Sequence, residues 1–176
     1  HPVELVPVDG AGRIDPEVVG QRLRARPELG LVSLSAASHE LGNAYDVPAL
    51  VAAARAARPA VLVHSDAVQA VGKLPVSLRA WGVDMLSVSA HKLGGPAGVG
   101  ALVHTRGLGV APLLRGGAQE RGRRPGTEAT WLVHGFGLAV ELAATEQAQR
   151  RATMALRRER LLAGVTRLGA RIHGDP

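Results

Sequence analysis

The chain has 176 residues and a formal net charge of +6, and 46% of its residues are hydrophobic but only 2% aromatic. This length fits one domain, whose core has to be filled by aliphatic and alanine side chains. The absence of cysteine excludes disulfides and thiolate metal sites within the chain. No apolar run is long enough to span a membrane and no signal-peptide pattern is present, so we expect a cytoplasmic protein without a membrane partner.

Short apolar runs alternate with helix-forming segments along the first part of the chain. The runs predict strands, and polar caps such as Asp15 before Pro16 predict helix starts. Strands are predicted at 3–9, 29–36, 61–64, 85–90 and 99–104. Helices are predicted at 16–24, at about 47–57 and at about 77–81. This alternation predicts an α/β fold with a largely parallel, mixed sheet and a layer of helices.

The pattern changes after Leu114. Residues 115–127 are rich in glycine and arginine and predict a loop. Residues 128–147 are apolar on nearly all sides, which predicts a buried helix. Apolar residues then recur at helical spacing beside many arginines and predict an amphipathic helix. These residues are Met154, Leu161, Val165 and Leu168.

Two predicted strands end beside side chains that are suited to chemistry. Asp66 follows one of them, and Lys92 follows the other together with Ser89 and His91. Ligands of open α/β sheets bind outside the carboxyl ends of the strands, so we expect Asp66 and Lys92 to share a cleft. A partly desolvated lysine is a good nucleophile. A carboxylate opposite it suits a cofactor with a ring cation, such as pyridoxal phosphate.

Three motifs, in this order, resemble those of one enzyme family. The segment 87–102, SVSAHKLGGPAGVGAL, looks like the cofactor-lysine motif of class V aminotransferases. The segment 64–73, HSDAVQAVGK, looks like the acid-and-glutamine motif that precedes it. The segment 116–127, GGAQERGRRPGT, narrows the resemblance to cysteine desulfurases of the NifS and IscS type. The resemblance covers nearly the whole chain, but the chain covers less than half of a usual desulfurase.

The resemblance implies a role for three residues around the cofactor ring. Lys92 resembles the lysine that forms a Schiff base with pyridoxal 5'-phosphate. Asp66 resembles the acid that accepts a hydrogen bond from the protonated pyridine nitrogen. Gln69 resembles the residue that hydrogen-bonds the phenolic oxygen. The structural alternatives are a surface lysine, an ordinary helix N-cap and an exposed helical glutamine.

Four further residues resemble family residues that contact the cofactor or stand where such residues occur. Ser89 and His91 resemble phosphate ligands, although a lone histidine more often has a structural role. Thr127 resembles the threonine that reaches the phosphate bound by the other subunit, and it could also cap a helix before residue 128. His39 stands where desulfurases usually have an asparagine that contacts the cofactor, and it could donate a similar hydrogen bond.

The resemblance also implies a fold, a reaction and partners. Residues 1–127 would be part of the large domain of a fold-type I pyridoxal-phosphate transferase, and residues 128–176 would be helices leading toward a small C-terminal domain. The reaction would convert L-cysteine to L-alanine and an enzyme-bound persulfide in a homodimer that passes sulfur to an acceptor protein, as in iron–sulfur cluster assembly. Because this chain contains no cysteine, we expect it to be inactive alone.

Other classes of protein stay open at this point. A selenocysteine lyase or an aminotransferase shares the lysine motif but usually lacks the motif at 116–127. A non-catalytic basic scaffold or a nucleic-acid binder would also fit the positive charge, although solvated arginines explain it more simply and we expect no nucleic-acid partner. His39 and His64 lack a second ligand pair at metal-like spacing, so no metal site is predicted.

Overall fold

The computed structural model describes residues 3–175. Its elements, in chain order, are α1 Pro16–Ala25, β1 Leu31–Ser35, α2 Val47–Ala57, β2 Leu62–Asp66, α3 Leu78–Trp81, β3 Met85–Ser89, β4 Gly100–His104, α4 Gln119–Gly122, α5 Thr130–Thr145 and α6 Gln147–Arg167. A single 3-10 turn, Ala90–Lys92, directly follows β3. Within this part of the chain, no helix has both the length and the apolar composition that a membrane span requires.

The strands form one sheet in the order β1-β2-β3-β4. The first three strands run parallel, whereas β4 runs antiparallel to β3. Parallel pairing brings the carboxyl ends of β1, β2 and β3 to the same edge, where Asp66 pairs with Ser35 on one side and with Ser87 on the other. The predicted α/β fold with a largely parallel, mixed sheet is confirmed.

Two capped helices cover one face of the sheet. The Asp15 carboxylate accepts a hydrogen bond from the Glu17 N–H at 2.9 Å and starts α1, and Asp46 starts α2 by accepting from the Ala49 N–H at 3.0 Å. Each cap satisfies a backbone donor that the first helical turn leaves unpaired. Apolar side chains of α1 and α2 pack with alternate residues of β2 and β3 in one buried core, which contains Val19, Leu23, Leu50, Val51, Val63 and Leu86.

The opposite face of the sheet is open to solvent within the described residues. Side chains alternate between the two faces of a strand, so Leu62 and His64 of β2 share the face opposite to that of the buried Val63. Leu31, Leu62 and Leu102 are exposed on this open face. The described residues therefore form two layers, a sheet and a layer of helices on one of its faces, and the other face of the sheet is exposed to solvent.

Most predicted elements are confirmed with ends shifted by a few residues, but the strand at 3–9 is wrong. Within the described structure this segment pairs with no strand. Pro7 has no N–H to give to a ladder, and the apolar side chains of Val3 and Leu5 are exposed. An apolar run becomes a strand only where a neighbouring strand offers hydrogen-bonding partners, and here no such neighbour is described.

The two predicted helices at the end of the chain exist as α5 and α6, but the predicted burial of the first is wrong within the described residues. In α5 only Ala139 and Ala143 are buried, and Trp131 is 84% exposed. In α6 no residue is buried, and Leu161 on its apolar stripe is exposed. The physical reason is that the described chain offers α5 little more than Leu93 and the residues around it to pack against. The predicted loop at 115–127 also contains a short irregular helix, α4.

Candidate active site

Asp66 lies at the edge where the parallel strands end. It is the last residue of β2, and its backbone carbonyl accepts a hydrogen bond from the Ala36 N–H at 2.8 Å. Its side-chain Oδ1 accepts from the Val68 N–H at 2.9 Å. Among the hydrogen bonds of residues 3–175, its Oδ2 takes part in none, so one carboxylate oxygen is free to bind a donor. The segment that follows consists of turns rather than a helix, so the alternative of a helix N-cap is wrong.

Gln69 is held by Lys73 in the turns after β2. The Lys73 ammonium donates to the backbone carbonyl of Gln69 at 3.0 Å and to its side-chain Oε1 at 2.9 Å. Gln69 was expected on a helix, but it lies in a turn. Burial lowers the pKa of Lys73, and the nearby charge of Lys92 lowers it further. The contact of Lys73 with Gln69 was not predicted from the sequence, where the only signal for it is their spacing of four residues.

Ser89 and His91 form a pair at the end of β3. The Ser89 hydroxyl and the His91 Nδ1 are 2.8 Å apart. The 3-10 turn that begins at the buried Ala90 brings these two side chains together two residues apart in sequence. One of the two groups donates to the other, and the N–H or O–H that this contact does not use can donate to an anion.

Lys92 ends the same 3-10 turn and lines a cavity of about 330 Å³ beneath α6. Lys73, Arg150 and Arg157 also line this cavity, and Glu146 contributes its only carboxylate among the described lining residues. Asp66 does not line it. This cavity is therefore not the predicted common cleft of Asp66 and Lys92.

Glycines let the chain reverse direction directly after Lys92. Gly94 has a backbone φ of +90°, which L side chains rarely adopt. A Cβ added at Gly100 would lie 2.7 Å from the Val88 carbonyl oxygen, so only glycine fits there without a shift of the backbone. These two positions allow β4 to return alongside β3 and keep the lysine turn tight.

His39 and Thr127 are both exposed. Neither side chain makes a hydrogen bond to another described residue. His39 lies in the turn after β1, where the Ser38 hydroxyl accepts from the Leu41 N–H at 3.2 Å. The alternative role of Thr127 as a helix cap is wrong, because α5 begins at Thr130 and has no side-chain cap. Both residues keep their side chains available for other partners.

His64, considered from the sequence only as a possible metal ligand, is instead the centre of a polar network. The His64 ring lies between the Ser33 hydroxyl, 2.9 Å from Nδ1, and the Ser87 hydroxyl, 2.8 Å from Nε2. Burial lowers the pKa of His64, while the charge of Asp66 opposes this effect. Among residues 3–175, no group of three or more metal-binding side chains is close enough to hold an ion.

Comparison with known sequences places the chain among related proteins. The family model for aminotransferase class-V matches residues 2–169. A cysteine desulfurase of Rhodobacter capsulatus is 44% identical over 175 residues, which are 99% of this chain and 44% of that protein. A cysteine desulfurase of Cereibacter sphaeroides is 46% identical over 99% of this chain and 44% of its own length. The chain thus spans less than half the length of these curated relatives.

Solved structures give the same relationship. A NifS-like protein has a TM-score of 0.90 and 37% sequence identity, with 96% of this chain and 46% of that chain covered. DndA from Streptomyces lividans has a TM-score of 0.81 and 39% identity, with 92% of this chain and 45% of that chain covered. Together with the family model, which matches nearly the whole sequence, these likenesses show that the chain belongs to the class-V aminotransferase family.

Proposed function

We propose that this chain is part of a pyridoxal-phosphate-dependent cysteine desulfurase, which converts L-cysteine to L-alanine and a persulfide held on the enzyme. The observation that carries the proposal is the edge of the sheet at which Asp66 and the Ser89–His91 pair end neighbouring parallel strands, with Lys92 one turn further on. Membership of the class-V aminotransferase family and relatives named cysteine desulfurase support it.

The donors and acceptors at this edge fit pyridoxal 5'-phosphate. The Oδ2 of Asp66, which makes no hydrogen bond within the described residues, can accept from a protonated ring nitrogen. One member of the Ser89–His91 pair donates to the other across 2.8 Å, and the N–H or O–H that this contact does not use can donate to the phosphate. When bound, the cofactor supplies an electron sink for the negative charge that develops on the substrate carbon.

Each side chain has a separate task in this proposal. Asp66 keeps the proton on the ring nitrogen, because a carboxylate favours a cationic partner. Lys92 supplies the amine that attaches the cofactor, and its Nζ takes up and delivers protons. Gln69 donates its amide N–H to the phenolic oxygen. His39 contacts the cofactor from the turn after β1, and Thr127 reaches the phosphate bound by a second subunit.

The wider assembly is part of the same proposal. The enzyme would act in the cytoplasm as a homodimer and pass its sulfur to an acceptor protein, for instance in iron–sulfur cluster assembly. The sulfur-accepting thiol has to lie outside this chain, which contains no cysteine. Residues 1–127 would belong to the cofactor-binding domain and residues 128–176 would lead toward a smaller domain. Exposed apolar side chains on α5 and α6, such as Trp131 and Leu161, support such a neighbour.

Turnover of the full-length protein tests the proposal. The protein is supplied with pyridoxal phosphate and L-cysteine, and alanine and sulfide are measured in the presence of a reductant. We expect the two products in equal amounts from the wild type and from Arg79→Ala, which removes an exposed charge in α3 that has no role in the proposed site. Lys92→Ala should form neither product. Alanine from selenocysteine but not from cysteine, or amino-group transfer without sulfide, would contradict the proposed reaction.

A further inference from the structure

We propose that Lys73 is a positioning residue that fixes the direction of the Gln69 side-chain amide, so that its NH₂ group faces the cofactor. The inference rests on the proposed function, because it deepens the role of Gln69 in that site. Its geometric basis is the pair of hydrogen bonds from the Lys73 ammonium, at 3.0 Å to the Gln69 carbonyl and at 2.9 Å to Oε1.

The chemistry of the two groups determines which end of the amide is held. A lysine ammonium has three donors and no acceptor, so only the oxygen of the Gln69 amide can bind it. The NH₂ end is then left to donate elsewhere. The phenolic oxygen of pyridoxal phosphate is an acceptor, and the amide held in this direction offers it a donor. If the Gln69 amide were reversed, its NH₂ group would face the Lys73 ammonium, which is also a donor. Its Oε1 would then face the phenolic oxygen, which is also an acceptor.

Packing holds Lys73 in the place that this role requires. Gly72, directly before it, is buried and has a backbone φ of +77°. A Cβ added at Gly72 would lie 3.2 Å from the Ala143 Cβ and 3.3 Å from the Leu93 Cδ2. The Lys73 N–H also donates to the Ala70 carbonyl at 3.0 Å. The turn is thus packed against α5, and the lysine side chain is half-buried beside Gln69.

The same lysine connects Gln69 to the proposed cofactor lysine. Lys73 and Lys92 line one cavity, and the charge of Lys92 is close enough to lower the pKa of Lys73. Arg157 also lines this cavity. Among the described hydrogen bonds, however, Arg157 makes none to Gln69. It is therefore a matched control, since it carries the same charge in the same cavity without the contact.

A titration of the full-length protein with pyridoxal phosphate tests the inference. The dissociation constant and the absorption maximum of the bound cofactor are measured for the wild type, Lys73→Met, Gln69→Leu, the double variant and Arg157→Met. We expect Lys73→Met to weaken binding about threefold to tenfold, as for one lost hydrogen bond, and to shift the absorption maximum. The double variant should bind as Gln69→Leu does. Lys73→Arg, which also presents donors only, should restore much of the affinity.

Other results overturn the inference. One is an affinity for pyridoxal phosphate that Lys73→Met leaves unchanged. Another is a loss of affinity in Arg157→Met as large as that in Lys73→Met. A third is a further loss of affinity when Lys73→Met is added to Gln69→Leu. The Tm of each variant is measured as a check on folding. If Lys73→Met does not fold, Lys73→Gln replaces it with the same expectation. The amide of the new side chain can face Gln69 with either end, so it does not fix the direction of the Gln69 amide. A wild type that binds no cofactor overturns the proposed function together with this inference. Binding by the wild type that Lys73→Met leaves unchanged overturns the inference alone.

Discussion

Asp66 pairs with Ser87 in the parallel register of β2 and β3. Because side chains two residues apart share a face of a strand, Ser89 lies on the same face of the sheet as Asp66 and at the same edge. A carboxylate and a hydroxyl thus lie along one edge in a fixed order. This relationship underlies the proposed site, in which the two ends of one cofactor bind to neighbouring strands.

The first prediction concerns the charge of Asp66. We expect Asp66→Asn to lower cofactor affinity about tenfold to hundredfold, since a charge-assisted hydrogen bond contributes about 1.5–3 kcal/mol. The value of kcat for alanine formation should fall much further, because the electron sink matters most as negative charge develops on the substrate. Cofactor titration and steady-state kinetics of the full-length protein measure the two effects. Equal losses in affinity and rate would mean that Asp66 only anchors the ring.

The second prediction separates phosphate binding from ring binding. Ser89→Ala removes the hydroxyl that lies 2.8 Å from the His91 Nδ1. We expect it to weaken binding of pyridoxal phosphate about tenfold to hundredfold, as for a lost hydrogen bond to a charged group. Binding of pyridoxal, which has no phosphate, should stay the same and serves as the matched control. A similar loss for both ligands would place Ser89 outside the phosphate site.

The third prediction uses the lowered pKa of His64. Burial favours the neutral ring, so the unfolded state binds the proton more readily than the folded state as the pH falls. The stability contributed by the neutral ring is therefore present above the unfolded pKa, about 6.5, and is lost as the pH falls through the lower folded pKa. We expect His64→Gln to flatten the decrease in Tm between about pH 7 and pH 5.

His134→Gln, at an exposed position on α5, is the control for this experiment and should leave the slope unchanged. Thermal unfolding of the full-length protein at several pH values gives the comparison. If His64→Gln keeps the wild-type slope while His134→Gln changes it, the pH dependence does not come from the ring between Ser33 and Ser87.

The helices and strands of the first hundred residues could largely be predicted from the sequence. Asp15 and Asp46 act locally, because a cap needs only the next few backbone N–H groups. The strands before Asp66 and Lys92 were also predictable, since each contains a short apolar run that ends at polar residues. The positions at which these strands end predicted that Asp66 and Lys92 lie near the carboxyl edge of the sheet.

What could not be predicted depends on surfaces distant in sequence. The apolar composition of α5 indicates that the helix is built to be covered, but burial also needs a partner surface, and Trp131 has none in the described chain. The contact of Lys73 with Gln69 depends on the left-handed turn at Gly72, and a sequence pattern does not specify that conformation. The His64 network depends on the strand register, which brings Ser33 and His64 opposite each other.

The most direct test of the account is to identify the residue that carries the cofactor. The full-length protein is loaded with pyridoxal phosphate, reduced with borohydride and digested, and the labelled peptide is identified by mass spectrometry. Lys73 and Lys92 are the lysines of this chain. The account predicts a label on Lys92 that is lost in Lys92→Ala and kept in Lys73→Arg. A label on Lys73, or an undiminished label in Lys92→Ala, would contradict it.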